Sequence, residues 1–380
     1  MKSIFFYSFA FLSLLFLFGC KQNDAIEKTK ISAVANSVKY AKGLELYKYE
    51  GFTVMKVTKP WPDATTEFTY ILKEKYGVVP DSSKQYPVIP VPIQSIVVTS
   101  TTHIPALEML GVENTLIGFP STNFISSSKT RKLIDAGKIR EVGVNESLNT
   151  EVLIDMKPDA IVTFGINNNN STIDNLKKSG LNVLINGDWT EQSPLGKAEW
   201  IKFFGALYNL DTKANSLFTS IETNYNNALA LANKKTTQPT VLSGAIYQDQ
   251  WYVPQGESWV SLFLRDAKAN YLWKETKGFG SLSLPFEKVF EKGKNAEFWI
   301  APGDFSSLKQ MSESSSHYTE FDSFKNKKVY SYAVNKGPKG GIVYFELASA
   351  RPDLVLKDLI KIFHPELLPN YNPFFFKKLE

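Results

Sequence analysis

Cysteine is almost missing from this chain, which has one, Cys20, in 380 residues. A disulfide framework, a Cys-rich zinc site and an iron–sulfur cluster are thereby excluded. Histidine is scarce too, confined to His103, His317 and His364. A bare zinc or manganese ion needs several converging His and carboxylate ligands, and scattered imidazoles meet that need poorly. Arginine occurs only at positions 131, 140, 265 and 351 among 43 basic residues, so fork-shaped recognition of anions has few places to arise. Charge of one sign is also lacking: 43 Lys+Arg against 38 Asp+Glu leave +5 over a large surface, no footprint for nucleic acid. What the chain does have is length, enough for two hydrophobic cores and an extension.

The first segment is distinctive. Met1-Lys2 precedes an almost wholly apolar run from Ile4 to Phe18, then Gly19-Cys20 and the polar Lys21-Gln22-Asn23-Asp24. This reads as a secretory signal over 1–19, since the run falls short of the roughly 20 residues of a spanning helix. Leu17-Phe18-Gly19-Cys20 resembles the bacterial lipobox. The resemblance implies cleavage before Cys20, lipidation of its thiol, and a lipoprotein held by its lipid anchor to a membrane of the bacterial cell envelope, facing the periplasm or extracytoplasmic space. The mature chain then keeps no free thiol.

Residues 20–43 are largely polar and read as a tether. A β-rich extension over 44–93 follows, in which Leu44–Tyr49 and Phe52–Val57 alternate around Glu50-Gly51 as a hairpin and 67–72 adds a third strand. Pro87, Pro90 and Pro92 predict a stiff connector. From Gln94 the pattern is strand, loop, helix, turn, repeated, which predicts parallel βαβ units in a lobe over 94–199. Over 200–236 there is no proline; Leu217, Ile221, Tyr225 and Leu229 recur every fourth residue, joined by Ala214, Ala228 and Ala232, and predict one long connecting helix. The alternation restarts over 237–380. Thr150–Val162 and Phe286–Ile300 share a pattern, a short helix opening with a glutamate, a turn and a buried strand, as two related lobes would give.

Four segments carry a family resemblance: Ile96-Val97-Val98-Thr99-Ser100 with the next helix, the Lys157-Pro158-Asp159 lead into a strand, Gly256-Glu257-Ser258, and Ala348-Ser349-Ala350-Arg351-Pro352 before the last helix. In order and spacing they resemble the class III substrate-binding proteins of ABC importers, which capture ferric siderophores, haem and cobalamin. The resemblance implies an α/β fold of two Rossmann-like lobes joined by one long rigid helix, with a ligand cleft between the lobes, no catalysis and no resident cofactor. It implies an ABC permease dimer as partner, with Glu151 and Glu287 on the positions that dock cobalamin binders into arginine pockets. As helix-start acids both also suit the N-terminal dipole, whether or not a partner is present.

A chelate with a flat face needs apolar aromatic walls and a few polar anchors. Loops after strands supply the expected ligand-binding residues: Phe119, Phe124, Phe164 and Trp189 with the Asn167–Asn170 loop in the first lobe, and Trp251, Tyr252, Tyr344 and Phe345 in the second. His103, just inside a helix N-terminus, stands to ligate haem iron or contact a chelate, or simply to bond the backbone. Arg351 stands to grip an anionic chelate, neutralise a helix end or pair with Glu346. No metal-ion site is expected. Val343 in place of an acidic residue, and Pro105 where cobalamin binders can carry a glutamate, tilt the ligand toward a ferric siderophore or haem. Two other classes remain: an extracytoplasmic α/β hydrolase, against which stands the lack of a Gly-x-Ser-x-Gly elbow, and a structural or sensory lipoprotein that has lost its ligand.

Overall fold

The computed structural model describes residues 35–145, 147–167 and 171–380. The expected signal, Cys20 and most of the expected tether lie outside them. Strands β1 (Leu44–Tyr49), β2 (Phe52–Val57), β3 (Phe68–Glu74) and β4 (Val88–Val91) form one sheet in that order. The proline-rich connector is therefore partly a strand. Pro90 is tolerated because β4 is an edge strand, pairing only with β3. The extension pads the first lobe: Leu46, Met55, Tyr70 and Ile89 share a core with Ile96 and Val98, and the Tyr70 hydroxyl accepts the Ile185 N–H at 2.9 Å.

The first lobe carries β5 (Ile96–Val98), β6 (Leu116–Phe119), β7 (Arg140–Glu141), the small hairpin β8 (Gly143–Val144) and β9 (Ser147–Leu148), β10 (Ala160–Thr163) and β11 (Val183–Ile185). Its main sheet runs β11-β10-β5-β6-β7, all parallel. The second lobe has β12 (Thr240–Ser243), β13 (Ala245–Tyr247), β14 (Gln250–Pro254), β15 (Asn270–Tyr271), β16 (Ser281–Leu284), β17 (Phe298–Ile300), β18 (Val329–Ser331) and β19 (Lys377–Lys378). Here the main sheet is β15-β12-β17-β18-β19, parallel except for β19, and β13-β14-β16 form an antiparallel flap. Both lobes are doubly wound, with strand order reversing beside the first strand of each.

The connecting helix is shorter than 200–236. Ile201–Leu207 is a separate helix; the chain then turns through Asn209 at φ 53° before the long helix Asp211–Ala232. A left-handed residue cannot continue a right-handed helix, and asparagine adopts that conformation more readily than most. The 22-residue helix is about 33 Å long at 1.5 Å per residue. Its buried stripe is Ala214, Phe218, Ile221, Tyr225, Ala228 and Ala232, with Leu217 and Leu229 at the margin. The first three pack into the first lobe's core and the last three into the second's, so one rigid element belongs to both.

The tether also ends earlier than residue 43. Lys39, Tyr40 and Ala41 N–H groups donate to the buried Glu199 carboxylate at 2.8, 2.5 and 3.0 Å, and Lys202 Nζ donates to it at 2.8 Å. Lys42 and Gly43 N–H groups donate to Glu191. Five consecutive backbone donors held by two carboxylates make this segment part of the folded body.

Candidate functional site

In doubly wound sheets ligands settle beyond the carboxyl ends of strands where the connections diverge. In the second lobe that point lies between β12 and β17, and a cavity of about 740 Å3 opens there. Ser243-Gly244-Ala245 at the junction of β12 and β13, Ala301–Phe305 after β17 and Tyr332 after β18 form its base. Tyr252, Trp259, Tyr344 and Phe345 form its walls. Tyr332 stacks on Tyr344 at 4.7 Å and 13°, Phe345 meets Tyr332 edge-on at 5.2 Å, and Trp259 lies 5.9 Å from Tyr344. Such an array offers a flat body several faces at little entropic cost.

Two features hold the base in shape. Gly244 sits at φ 80°, where a Cβ would fall 1.8 Å from the Tyr252 carbonyl oxygen, so only glycine lets the flap come this close. Behind it, Trp251 Nε1 donates to Ser243 O at 3.1 Å and Trp299 Nε1 to Gly244 O at 2.9 Å, with the two indoles stacked at 5.2 Å. Trp251 is therefore not a cavity wall. It is 0% exposed and one layer behind, because the strand alternation that presents Tyr252 outward turns its neighbour inward.

Two phenols of the site, those of Tyr332 and Tyr344, stay protonated. Burial, reinforced by the Asp304 carboxylate, pushes the Tyr332 hydroxyl up to about 12, and burial, with Tyr332 and Asp358 adding to it, raises Tyr344 further. Both can donate to a ligand oxygen at neutral pH. No set of three or more His, Cys, Asp or Glu side chains among the described residues converges as a metal cluster would.

The first-lobe residues expected at the ligand do not line this cavity. Phe119 is in the lobe's core, Phe164 is half-buried, and Phe124 and Trp189 are 68% and 41% exposed elsewhere. Of the Asn167–Asn170 loop, residues 168–170 lie outside the described residues. His103 is buried 5.5 Å from Phe204 with neither ring nitrogen hydrogen-bonded, and burial pushes its pKa down against the pull of Asp188. Arg351 grips Asp353 through two bonds of 2.9 and 2.8 Å, so its fork is occupied by the first turn of its own helix, not by Glu346. Of the expected set, the cavity takes Tyr252 and Tyr344, with Phe345 at its rim. Sequence reasoning does not single out Trp259, Tyr332 or Asp304; their signal is position, just beyond strands for Asp304 and Tyr332 and at a helix start for Trp259.

Glu346 instead spans the lobes. Its carboxylate accepts the Ser126 and Ser127 N–H groups at 2.6 and 2.9 Å, where the helix Ser128–Asp135 begins. Gly337 and Gly341 of the second lobe lie against the backbone of Ser126 and Phe124, so close that a side chain on either would clash. Glu151 and Glu287 are both exposed in the first turn of a helix, one on each lobe.

The comparisons with known proteins agree with this architecture. An uncharacterised lipoprotein of Methanocaldococcus jannaschii is 28% identical over 369 residues, 91% of this chain and 86% of the relative. A periplasmic binding protein from Veillonella parvula superposes with a TM-score of 0.59 at 16% identity, covering 86% of this chain and 96% of that one. A periplasmic haem-binding protein of Vibrio cholerae gives 0.56 at 14% identity, covering 72% and 100%. The family described as periplasmic binding protein matches residues 96–335, well over half of the chain. With two doubly wound lobes on one long helix and that match, the chain belongs to the periplasmic binding protein family, in its class III form.

Proposed function

We propose that this protein is the lipid-anchored, extracytoplasmic solute receptor of an ABC importer for an iron chelate, a ferric siderophore or haem, or for cobalamin, bound against the aromatic walls of the second-lobe cavity. The observation that carries the reading is the 740 Å3 cavity at the strand-order reversal, walled by Tyr252, Trp259, Tyr344 and Phe345. Anchoring runs through Cys20 after removal of 1–19, a reading the lipoprotein relative supports. No helix among the described residues is long and apolar enough to cross a membrane. Delivery runs through Glu151 and Glu287, whose exposure on separate lobes suits two arginine pockets of a permease dimer.

Titration of the full-length protein in detergent micelles, followed by tryptophan fluorescence, tests this. Ferric siderophores, haem and cobalamin are the panel. One class is expected to quench saturably, through Trp259, and the Phe345→Ala variant to bind it more weakly. Silence across the panel would refute the receptor reading.

A further inference from the structure

The ionisable groups lining the cavity are four tyrosines and one carboxylate, Asp304; no lysine, arginine or histidine is among them. Asp304 is exposed beside the left-handed Gly303, in the loop after β17, and forms no ion pair among the described residues. Its field reaches into the cavity, since it raises the Tyr332 hydroxyl. Three cations outside the lining are already engaged. Lys197 Nζ, 5.5 Å from the Trp259 ring, donates to the Asp188 and Trp189 carbonyls, and burial lowers its pKa despite Asp188 and Glu191. Arg351 is held by Asp353, and Arg265 by Asp266. Aromatic faces present negative potential to whatever enters, which attracts cations and repels anions. An anionic chelate would meet π-faces and a carboxylate, with no guanidinium fork to receive it.

We propose that the cavity selects ligands that are neutral or positively charged at the end facing Asp304, with Asp304 the residue that sets this preference. The inference rests on the receptor reading above and narrows it, away from anionic catecholate chelates and from haem with its two propionates. Its test uses one scaffold at three charges: ferrioxamine B, whose pendant ammonium is positive, its neutral N-acetyl derivative and its negative N-succinyl derivative. A second series sets cationic aquacobalamin against neutral cyanocobalamin, and haem is the dianionic probe. Each is titrated against the full-length protein and its Asp304→Asn variant, which changes charge but not size. In whichever scaffold binds, affinity is expected to fall about tenfold per step toward negative charge, and the gradient to flatten in Asp304→Asn. Haem binding tightest, a reversed gradient, or a gradient unchanged in the variant would overturn the charge preference while leaving the receptor reading intact. Binding of no probe would overturn both.

Discussion

Glu346 is the most exacting test of how the lobes are held together. Burial raises its carboxyl to about 7 from an ordinary 4.5; the Ser126 and Ser127 N–H groups pull it back, Glu108 raises it and Arg131 lowers it. Because the folded value is the higher, the native state holds the proton more tightly than the unfolded chain does. The associated stability is therefore complete below pH 4.5 and lost as pH rises through about 7. The gap between those values corresponds to about 3 kcal/mol, with little solvent screening at a side chain this buried. Glu346→Gln is neutral at every pH, although it keeps one acceptor oxygen for the two N–H groups and so carries a constant cost. In thermal melts of both proteins from pH 4.5 to 8.5, the variant's melting temperature relative to the parent should therefore rise by several degrees from the acid end to the alkaline end. Taking the difference between the two proteins removes the contribution of other groups, such as Asp358, whose pKa burial also raises. A difference that stays constant across the range would refute the argument that burial of Glu346 between the lobes governs its protonation.

Other expectations follow from the same structure. Glu199→Ala strips three backbone N–H groups and Lys202 of their buried partner, so it should cost about 3–5 kcal/mol, read as a fall of about 4–7 °C in melting temperature. Gly244→Ala should abolish saturable quenching by the ligand, because a methyl group at φ 80° collides with the Tyr252 carbonyl; unchanged affinity would show that the flap does not shape the cavity. Charge reversal at both Glu151 and Glu287 should leave solute affinity unchanged and stop uptake in a transport assay; loss of binding instead would remove them from the docking role.

Much of the fold was legible because it follows from periodicity. Alternating strands and helices announced parallel βαβ units, and the fourfold recurrence around Tyr225 announced the long helix, although Asn209 ended its predecessor and the buried stripe takes in Phe218 and leaves Leu217 and Leu229 at its margin. Side-chain direction was harder to read. Trp251 and Tyr252 are adjacent and equally aromatic, yet one lies behind the β12 loop and the other beside the cavity, because strand alternation assigns them opposite faces. Long-range polar partners were not legible at all. Glu199 meets the chain some 160 residues away and Glu346 meets Ser126 at a separation of 220, distances over which a sequence offers no periodic signal.

The central claim is that the second-lobe cavity holds the transported solute. A structure of the full-length protein, determined after saturation with whichever panel member quenches its fluorescence, tests it most directly. The account predicts the solute stacked on Tyr344 and Trp259, with a polar group toward Asp304. A solute seated on the first lobe against Phe124 and Trp189, with the second-lobe cavity unfilled, would contradict it.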